Sequence, residues 1–249
     1  SKIVLKTRLE SRSYVEMTLN VMHQFGAVAE PADDWSSFTV AGNQDYQAKK
    51  YCVEGDFSSA AFLMAAGALA GRVRVKGLKL DSVQGDAAMV EILKSMESTV
   101  NIAKDSFAIK CNESQAIDID VSDTPDLVPI LTVLATQASG TTRIYNAGRL
   151  RFKESDRLAS TSKELRKMGA EIKESKDGLT VRGPTTLHGA VLDSHEDHRI
   201  AMAGVIAGLV ANGQTVVRDI ECVAKSYPSF IRDIRSIGAQ IELESGGIT

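Results

Sequence analysis

Cysteine is scarce in this chain of 249 residues, and the three present, Cys52, Cys111 and Cys222, lie far apart. They form no metal-binding spacing and point to a reducing compartment, with the thiols buried. Long apolar runs are missing: none approaches the roughly 20 residues that a membrane span needs. No signal or transit segment is recognisable, and there is no initiator Met. Ser1 opens directly onto a strand-like Ile3-Val-Leu, as in a piece cut from something longer. An excess of either charge is absent too. The net charge of -3 leaves no global field for nucleic acid, so any anion binding has to come from local clusters. These absences predict a cytoplasmic protein with neither nucleic acid nor membrane as a partner. At 43% hydrophobic and 24% charged, the rest is ordinary globular composition, with length for one large domain or two modest ones.

What is present is an internal repeat. Residues 53–111, 116–183 and 185–247 share one plan: a short strand, an acidic residue in a turn, and a helix rich in small residues. Those helices are predicted at Ser58–Leu69, Asp126–Gln137 and His198–Val210. Each meets a glycine and a β-branched strand, at Gly71, Gly140 and Gly213, roughly seventy residues apart. A second amphipathic helix follows at 85–96, 155–168 and 228–237, then β structure, so the unit reads βαβαββ. Two of these helices stop at Gly-Ala (Gly169, Gly238), a helix-ending signal. The same signal at Gly26 follows a helix over Val15–Gln24, so residues 1–52 read as the second half of an earlier unit. In the 53–111 unit the pair is Glu97-Ser98, and that helix end is expected to be irregular. Helices such as Ala60-Ala-Phe-Leu-Met-Ala-Ala-Gly are apolar all round and belong in an interior. The strands alternate and so keep one sheet face wet. Buried helices with sheets outside, three times over, predict a pseudo-threefold α/β domain.

The chemical side chains recur at matched helix starts. First helices begin near Asp56, near Asp123 and Asp126, and near Asp197-His198-Arg199. Second helices begin near Gln84-Gly-Asp, Lys153-Glu-Ser-Asp-Arg and Lys225-Ser-Tyr-Pro-Ser, and the leading half-unit offers Ser11-Arg-Ser-Tyr. A helix beginning near Ser155 would aim its free N–H groups the same way as Lys153 and Arg157, forming an anion site with Glu154 beside it as a proton carrier. Each element also has an ordinary reading. Asp56, Asp126 and Asp197 fit helix N-caps, His198 a surface or satisfied polar residue, and Arg199 and Lys225 solvated charges. If the repeats pack with parallel helices, Lys153, Arg157, Arg199 and Lys225 gather at one end, a surface for a phosphate or carboxylate.

Lys153-Glu-Ser-Asp-Arg, Asp197-His-Arg-Ile-Ala-Met-Ala and Lys225 before an aromatic-Pro closely resemble the 5-enolpyruvylshikimate-3-phosphate synthase family. Val53-Glu-Gly-Asp with its Ser-Ser-Ala helix, Gln84-Gly-Asp, Pro125-Asp, Ser11 and Tyr14 extend the match along the chain. The resemblance implies two similar domains of three βαβαββ units each, an inside-out α/β barrel arrangement with the active site in the cleft between. Residues 1–52 would be the tail of the N-terminal domain and 53–249 most of the C-terminal one. The substrate-binding lysine, arginines, glycine loop and Ser-Ser-Gln group of the first domain would be missing. So would a short initial segment that completes the second.

The implied reaction moves an enolpyruvyl group from phosphoenolpyruvate to the 5-hydroxyl of shikimate 3-phosphate on the way to chorismate and the aromatic amino acids. It needs a base for the hydroxyl, an acid for the methylene carbon, and cations for a carboxylate and two phosphates. By resemblance, Asp126 is the base and Glu154 the acid, with Lys225 a co-candidate for proton delivery. Arg157, Arg199 and Lys225 would hold phosphoenolpyruvate, because guanidinium forks match its anionic groups. Ser11, Tyr14, Asp126 and Lys153 would hold shikimate 3-phosphate. Arg149 joins them; family members often carry Asn there, and an arginine still favours an anionic ligand. Asp56, Asp197 and His198 would support the site. No metal or organic cofactor is implied. A fragment with one wall of the cleft is expected to be inactive alone. The rival readings are UDP-N-acetylglucosamine enolpyruvyl transferase, which shares the fold, and a non-catalytic half-module that binds a partner.

Overall fold

A computed structural model describes residues 1–104 and 106–244. The chain opens with β1 (Lys2–Val4), α1 (Arg12–Gln24), β2 (Ala29–Pro31) and β3 (Ser37–Val40). These strands form one antiparallel sheet in the order β1-β3-β2. The half-unit read from the sequence therefore has a strand in front of its helix.

The first repeat runs through α2 (Phe57–Ala70), β4 (Arg72–Lys76), α3 (Met89–Ser95), β5 (Thr99–Ala103) and β6 (Ser106–Lys110). The second has β7 (Asp118–Asp120), α4 (Val128–Gln137), β8 (Gly140–Tyr145), α5 (Arg157–Lys167), β9 (Glu171–Glu174) and β10 (Leu179–Gly183). The third has β11 (Val191–Asp193), α6 (His198–Gly208), β12 (Val216–Arg218) and α7 (Phe230–Ser236). Helices α2, α4 and α6 pack on one another as the core. Nine of the ten residues of α4 are buried, and α2 buries Phe57, Phe62 and Met64 among alanines. Alanine keeps the helix axes close while the larger side chains fill the gaps, each full burial contributing about 1.5–3 kcal/mol.

The sheets lie outside in the orders β4-β6-β5, β7-β8-β10-β9 and β11-β12. Alternation in β4 sends Val73 and Val75 inward, opposite Ile109 and Phe107, and leaves Arg72, Arg74 and Lys76 in water. Parallel pairing of β7 with β8 and of β11 with β12 closes each βαβ step over α4 and α6.

Several expectations need correction. The first repeat has no opening strand, and a single bond from Gly55 N–H to the Gly77 carbonyl, 3.0 Å, stands in for it. β7 and β11 each bury an apolar residue, Ile119 and Leu192, whereas Gly55 has no side chain to anchor a strand. Residues 240–244 carry no strand, and the rest of the hairpin expected in the third repeat lies outside the described residues. The helix start expected near Ser155 falls at Arg157, because Asp156 caps it by accepting from Ala159 N–H at 3.1 Å. Cys52 and Cys111 are exposed rather than buried, one in an irregular segment and one just past the end of β6.

The end of α3 is regular. Ser98 N–H reaches the Leu93 carbonyl at 2.9 Å and Glu97 N–H reaches Lys94 at 2.9 Å. Ala170 and Gly169 make the same pair of bonds at the end of α5. Glu97 completes this Schellman motif at φ 67°, where α1, α5 and α7 use Gly26, Gly169 and Gly238.

Candidate active site

Arg157, the first residue of α5, is the hub. Its side chain is 1% exposed, and three carboxylates surround it. Nε donates to Asp197 Oδ2 at 2.8 Å, Nη1 to Asp126 Oδ1 at 2.7 Å and Nη2 to Glu154 Oε2 at 2.7 Å. A guanidinium this deep has to be neutralised, and the fork geometry lets it hold several acids at once.

Local sequence places each acid. Asp197 caps α6, accepting from Arg199 N–H at 3.0 Å, and also takes the Ser155 hydroxyl at 3.1 Å. The turn before it carries His195 and Glu196 at φ 53° and 56°, and the buried Glu164 of α5 pins that turn. Glu164 accepts from Asp193 N–H at 2.9 Å and lies 2.9 Å from His195 Nε2. Asp126 sits in the 3-10 turn Pro125–Leu127 ahead of α4, and its carboxylate turns away from the helix toward cations. Glu154 lies in the turn 153–156, which Arg151 clamps. Arg151 bonds Asp156 at 2.9 Å, Glu174 at 2.9 Å and the Ser175 carbonyl at 2.6 Å.

Around this core stand the remaining cations. Arg199 Nη2 donates to Asp126 Oδ2 at 3.0 Å, and Lys153 Nζ lies 3.4 Å from Asp126 Oδ1. Lys225 Nζ lies 3.3 Å from Glu154 Oε1 with its side chain 58% exposed, so it marks the open rim. Tyr14 brings its hydroxyl to 3.4 Å from Asp126 Oδ2. Arg149 donates from Nη1 to Ser11 Oγ at 2.7 Å and from Nη2 to the Ser122 carbonyl, tying the start of α1 to the loop before Asp126. Asp126, Glu154, Arg157, Arg199, Lys225, Lys153, Tyr14 and Asp197 thus share one cluster, with Ser11 and Arg149 at its border.

Two residues keep to other work. Asp56 is exposed and caps α2, accepting from the Ser58 and Ser59 N–H groups at 3.0 Å each. His198 is buried, with Nδ1 unpartnered and 4.0 Å from Asp197 Oδ1. Burial, helped by Arg199, lowers its pKa and keeps the ring neutral.

Electrostatics separates the acids. Burial pushes Asp126 upward, but Arg199, Arg157 and Lys153 together outweigh it and hold the carboxyl below its ordinary value. In Glu154 burial again raises the pKa, but a bond to its own backbone, the charge of Arg157 and the Lys225 side chain together hold it below its ordinary value. Both are carboxylates before any ligand arrives. Lys225 and Lys153, 58% and 35% exposed, are the cations open to solvent, while Arg199 and Arg157 are buried against Asp126 and Glu154. Sequence reasoning named Asp86 only within the Gln84-Gly-Asp helix start and Ser58 only within the Ser-Ser-Ala helix; the structure pairs the two, with Ser58 Oγ donating to the buried Asp86. Asp86 belongs to Gln84-Gly-Asp, the first-repeat counterpart of the 153–157 turn, and that matched position was the available signal.

The family model for EPSP synthase (3-phosphoshikimate 1-carboxyvinyltransferase) matches residues 2–234. A 3-phosphoshikimate 1-carboxyvinyltransferase of Clostridium novyi is 42% identical over 247 residues, 99% of this chain and 57% of that protein. One from Methanocaldococcus jannaschii is 43% identical over 246 residues, 98% of this chain and 57% of that protein. The solved EPSP synthase of Acinetobacter baumannii superposes with a TM-score of 0.83 at 26% identity, over 98% of this chain and 58% of that one. The enolpyruvyl transferase NikO of Streptomyces tendae gives 0.77 at 20% identity, over 96% of this chain and 56% of that one, a likeness of fold. The chain therefore spans less than two thirds of the length of these relatives.

Proposed function

The chain belongs to the EPSP synthase (3-phosphoshikimate 1-carboxyvinyltransferase) family, and from that premise we propose that it supplies one wall of a site joining phosphoenolpyruvate to the 5-hydroxyl of shikimate 3-phosphate. Phosphate leaves, and the product feeds the route to chorismate in the cytoplasm. In this reading residues 53–249 are the C-terminal domain and 1–52 the tail of an N-terminal domain whose remainder completes the cleft.

The observation that carries the reading is the pair of acids, Asp126 and Glu154, held on one buried guanidinium, with Arg199 buried beside Asp126 and Lys225 at the open rim beside Glu154. Phosphoenolpyruvate brings a carboxylate and a phosphate, which take Arg199 and Lys225 and compete with the acids for Arg157. Glu154 then loses cationic partners, its proton affinity rises, and it takes up a proton from solvent as the ligand binds. That proton goes to the methylene carbon and Glu154 returns to a carboxylate, with Lys225 as the second candidate. Asp126 faces the other way, toward Tyr14 and Lys153, where the sugar-like ring and its 3-phosphate would lie with Ser11 and Arg149. There it takes the 5-hydroxyl proton as the oxygen attacks. Asp197 keeps Arg157 aimed and, as the cap of α6, fixes the start of the helix that carries Arg199. Neutralising charge in a site closed from water stabilises the developing cationic carbon and the departing phosphate together.

Glu154→Gln in the complete enzyme is expected to lower kcat by about 10²–10⁴-fold while the KM for each substrate moves little. Arg199→Ala is expected to weaken phosphoenolpyruvate about 10–100-fold and leave shikimate 3-phosphate nearly unchanged. An unchanged kcat in the first variant, or equal losses for both substrates in the second, contradicts these roles.

A further inference from the structure

Glu164 is the only carboxylate in α5, and it is 3% exposed. It follows Arg157 by seven residues, two helical turns, so both side chains leave the same face of the helix. That face meets the segment joining β11 to α6 at two points. Arg157 reaches Asp197, while Glu164 Oε2 accepts from Asp193 N–H at 2.9 Å and Oε1 lies 2.9 Å from His195 Nε2. Burial pushes the Glu164 pKa up, but Lys167, the Asp193 N–H and His195 together hold it below its ordinary value. The group is therefore an ionised acceptor, and His195 donates to it from Nε2. Lys167 belongs to the same helix, so the bonds to Asp193 and His195 are the ones that reach across.

The segment gripped in this way has an uncommon backbone. His195 and Glu196 are consecutive left-handed residues, at φ 53° and 56°, in a turn closed by Asp197 N–H to the Ser194 carbonyl at 3.0 Å. Turns of this kind are dominated by Gly, Asn and Asp, and other side chains are strained in them. Local bonds supply part of the restraint: His195 N–H to Asp193 Oδ1 at 2.7 Å and Glu196 N–H to Ser194 Oγ at 3.2 Å. Glu164 adds a restraint from outside the turn, on the residue that enters it and on its first left-handed residue. The residue after the turn is Asp197, which caps α6 and accepts from Arg157, and Arg199 stands two places farther on. Relaxation of the turn would therefore move Asp197, Arg157 and Arg199 together. Strain that the surroundings hold in place clusters where position has a function.

We propose that Glu164 is a positioning residue for the phosphoenolpyruvate half of the site, acting through the His195–Glu196 turn on Asp197, Arg157 and Arg199. This rests on the reading of Arg157 and Arg199 as the cations for phosphoenolpyruvate. Glu164 holds the turn left-handed, the turn sets Asp197, and Asp197 fixes both the Arg157 guanidinium and the start of the helix that carries Arg199. Glu164 itself touches no substrate. On the shikimate 3-phosphate side, Ser11 and Arg149 are tied to each other and to the Ser122 carbonyl, away from the turn. Loss of Glu164 therefore falls unequally on the two substrates.

The test is steady-state kinetics of the complete enzyme with each substrate varied in turn. Glu164→Ala is expected to lower kcat/KM for phosphoenolpyruvate about 10–100-fold and to move the KM for shikimate 3-phosphate less than about twofold. Glu164→Gln keeps the shape and an oxygen for Asp193 N–H, and should lose less. Glu196→Gly isolates the mechanism, because glycine takes the left-handed conformation without strain and the exposed Glu196 lies outside the cluster. Added to Glu164→Ala, it should return most of the lost kcat/KM, since the turn no longer needs holding. Unchanged phosphoenolpyruvate kinetics in Glu164→Ala, equal losses for both substrates, or no recovery with Glu196→Gly overturns the proposal. Amide exchange measured by NMR reads the turn without turnover. The Asp197 N–H should exchange about 10–100-fold faster in Glu164→Ala and slow again in the double variant. If Glu164→Ala does not fold, Glu164→Gln takes its place in the exchange measurement, and an unchanged rate overturns the proposal in either variant. An enzyme that joins no enolpyruvyl group to shikimate 3-phosphate would instead sink the functional reading, and the exchange result would survive it.

Discussion

Replacing Asp197 by Ala strips the Arg157 guanidinium of its deepest partner. Asp197 is fully buried and accepts from Arg157 Nε at 2.8 Å, Arg157 Nη2 at 3.3 Å, Ser155 Oγ at 3.1 Å and Arg199 N–H at 3.0 Å. Removing one member of a buried ion pair typically costs about 3–5 kcal/mol, and the lost helix cap is about 1 kcal/mol of that. Arg157 keeps Asp126 and Glu154, so the lower end applies, about 3 kcal/mol. For a chain of this size that is a fall in Tm of about 6–12 °C. Asp197→Asn retains the cap and the shape and should lose less, isolating the part due to charge. Urea unfolding followed by circular dichroism measures both. A change below about 0.5 kcal/mol for Asp197→Ala, the size of an ordinary surface substitution, refutes the claim that this pair holds the site together.

The pH dependence follows with its sign. Burial raises the Asp197 pKa, but hydrogen bonds and charge from Arg157 lower it further, so the folded value lies below the unfolded one. Its contribution is present above about pH 4, the unfolded carboxyl value, and is lost as pH falls through the folded pKa. Asp197→Ala should therefore show a shallower loss of stability on acidification than the wild type.

Glu97 holds the left-handed position that glycine fills at Gly26, Gly169 and Gly238. Glu97→Gly relieves that strain and should raise stability by about 1 kcal/mol in the same urea assay, and a loss would contradict it. Gly183 lies against the end of α4, where an added Cβ would stand 2.5 Å from the Ala138 carbonyl and 2.8 Å from those of Ala135 and Thr136. Gly183→Ala should cost about 1–3 kcal/mol by forcing β10 off the helix, and a neutral result would mean the sheet shifts freely.

The fold was legible wherever the signal was local. Alanine-rich helices, β-branched alternation and the Gly-Ala stops each depend on a few neighbouring residues, and all seven described helices lie where their patterns predicted. The opening strand of the first repeat failed because Gly55 breaks a pattern that only the comparison with Ile119 and Leu192 makes visible. The turn 153–157 was legible as charge, yet its geometry was not. That Arg157 is buried and saturated by acids, while Lys225 remains at the rim, depends on segments more than thirty residues apart in sequence meeting in space. The balance between burial and cations at Asp126 was likewise beyond the sequence, since distances decide it. Asp86 was singled out only as part of the Gln84-Gly-Asp helix start and given no role of its own, because one acid in a short motif reads as a helix start until its burial is known.

The most direct measurement is phosphate release from phosphoenolpyruvate by this chain, alone and supplied with the remaining part of the enzyme. The chain alone should release essentially none. With its complement it should release phosphate when shikimate 3-phosphate is present, and not when UDP-N-acetylglucosamine replaces it. Substantial release by the chain alone, or release that prefers the UDP-sugar, would contradict the account.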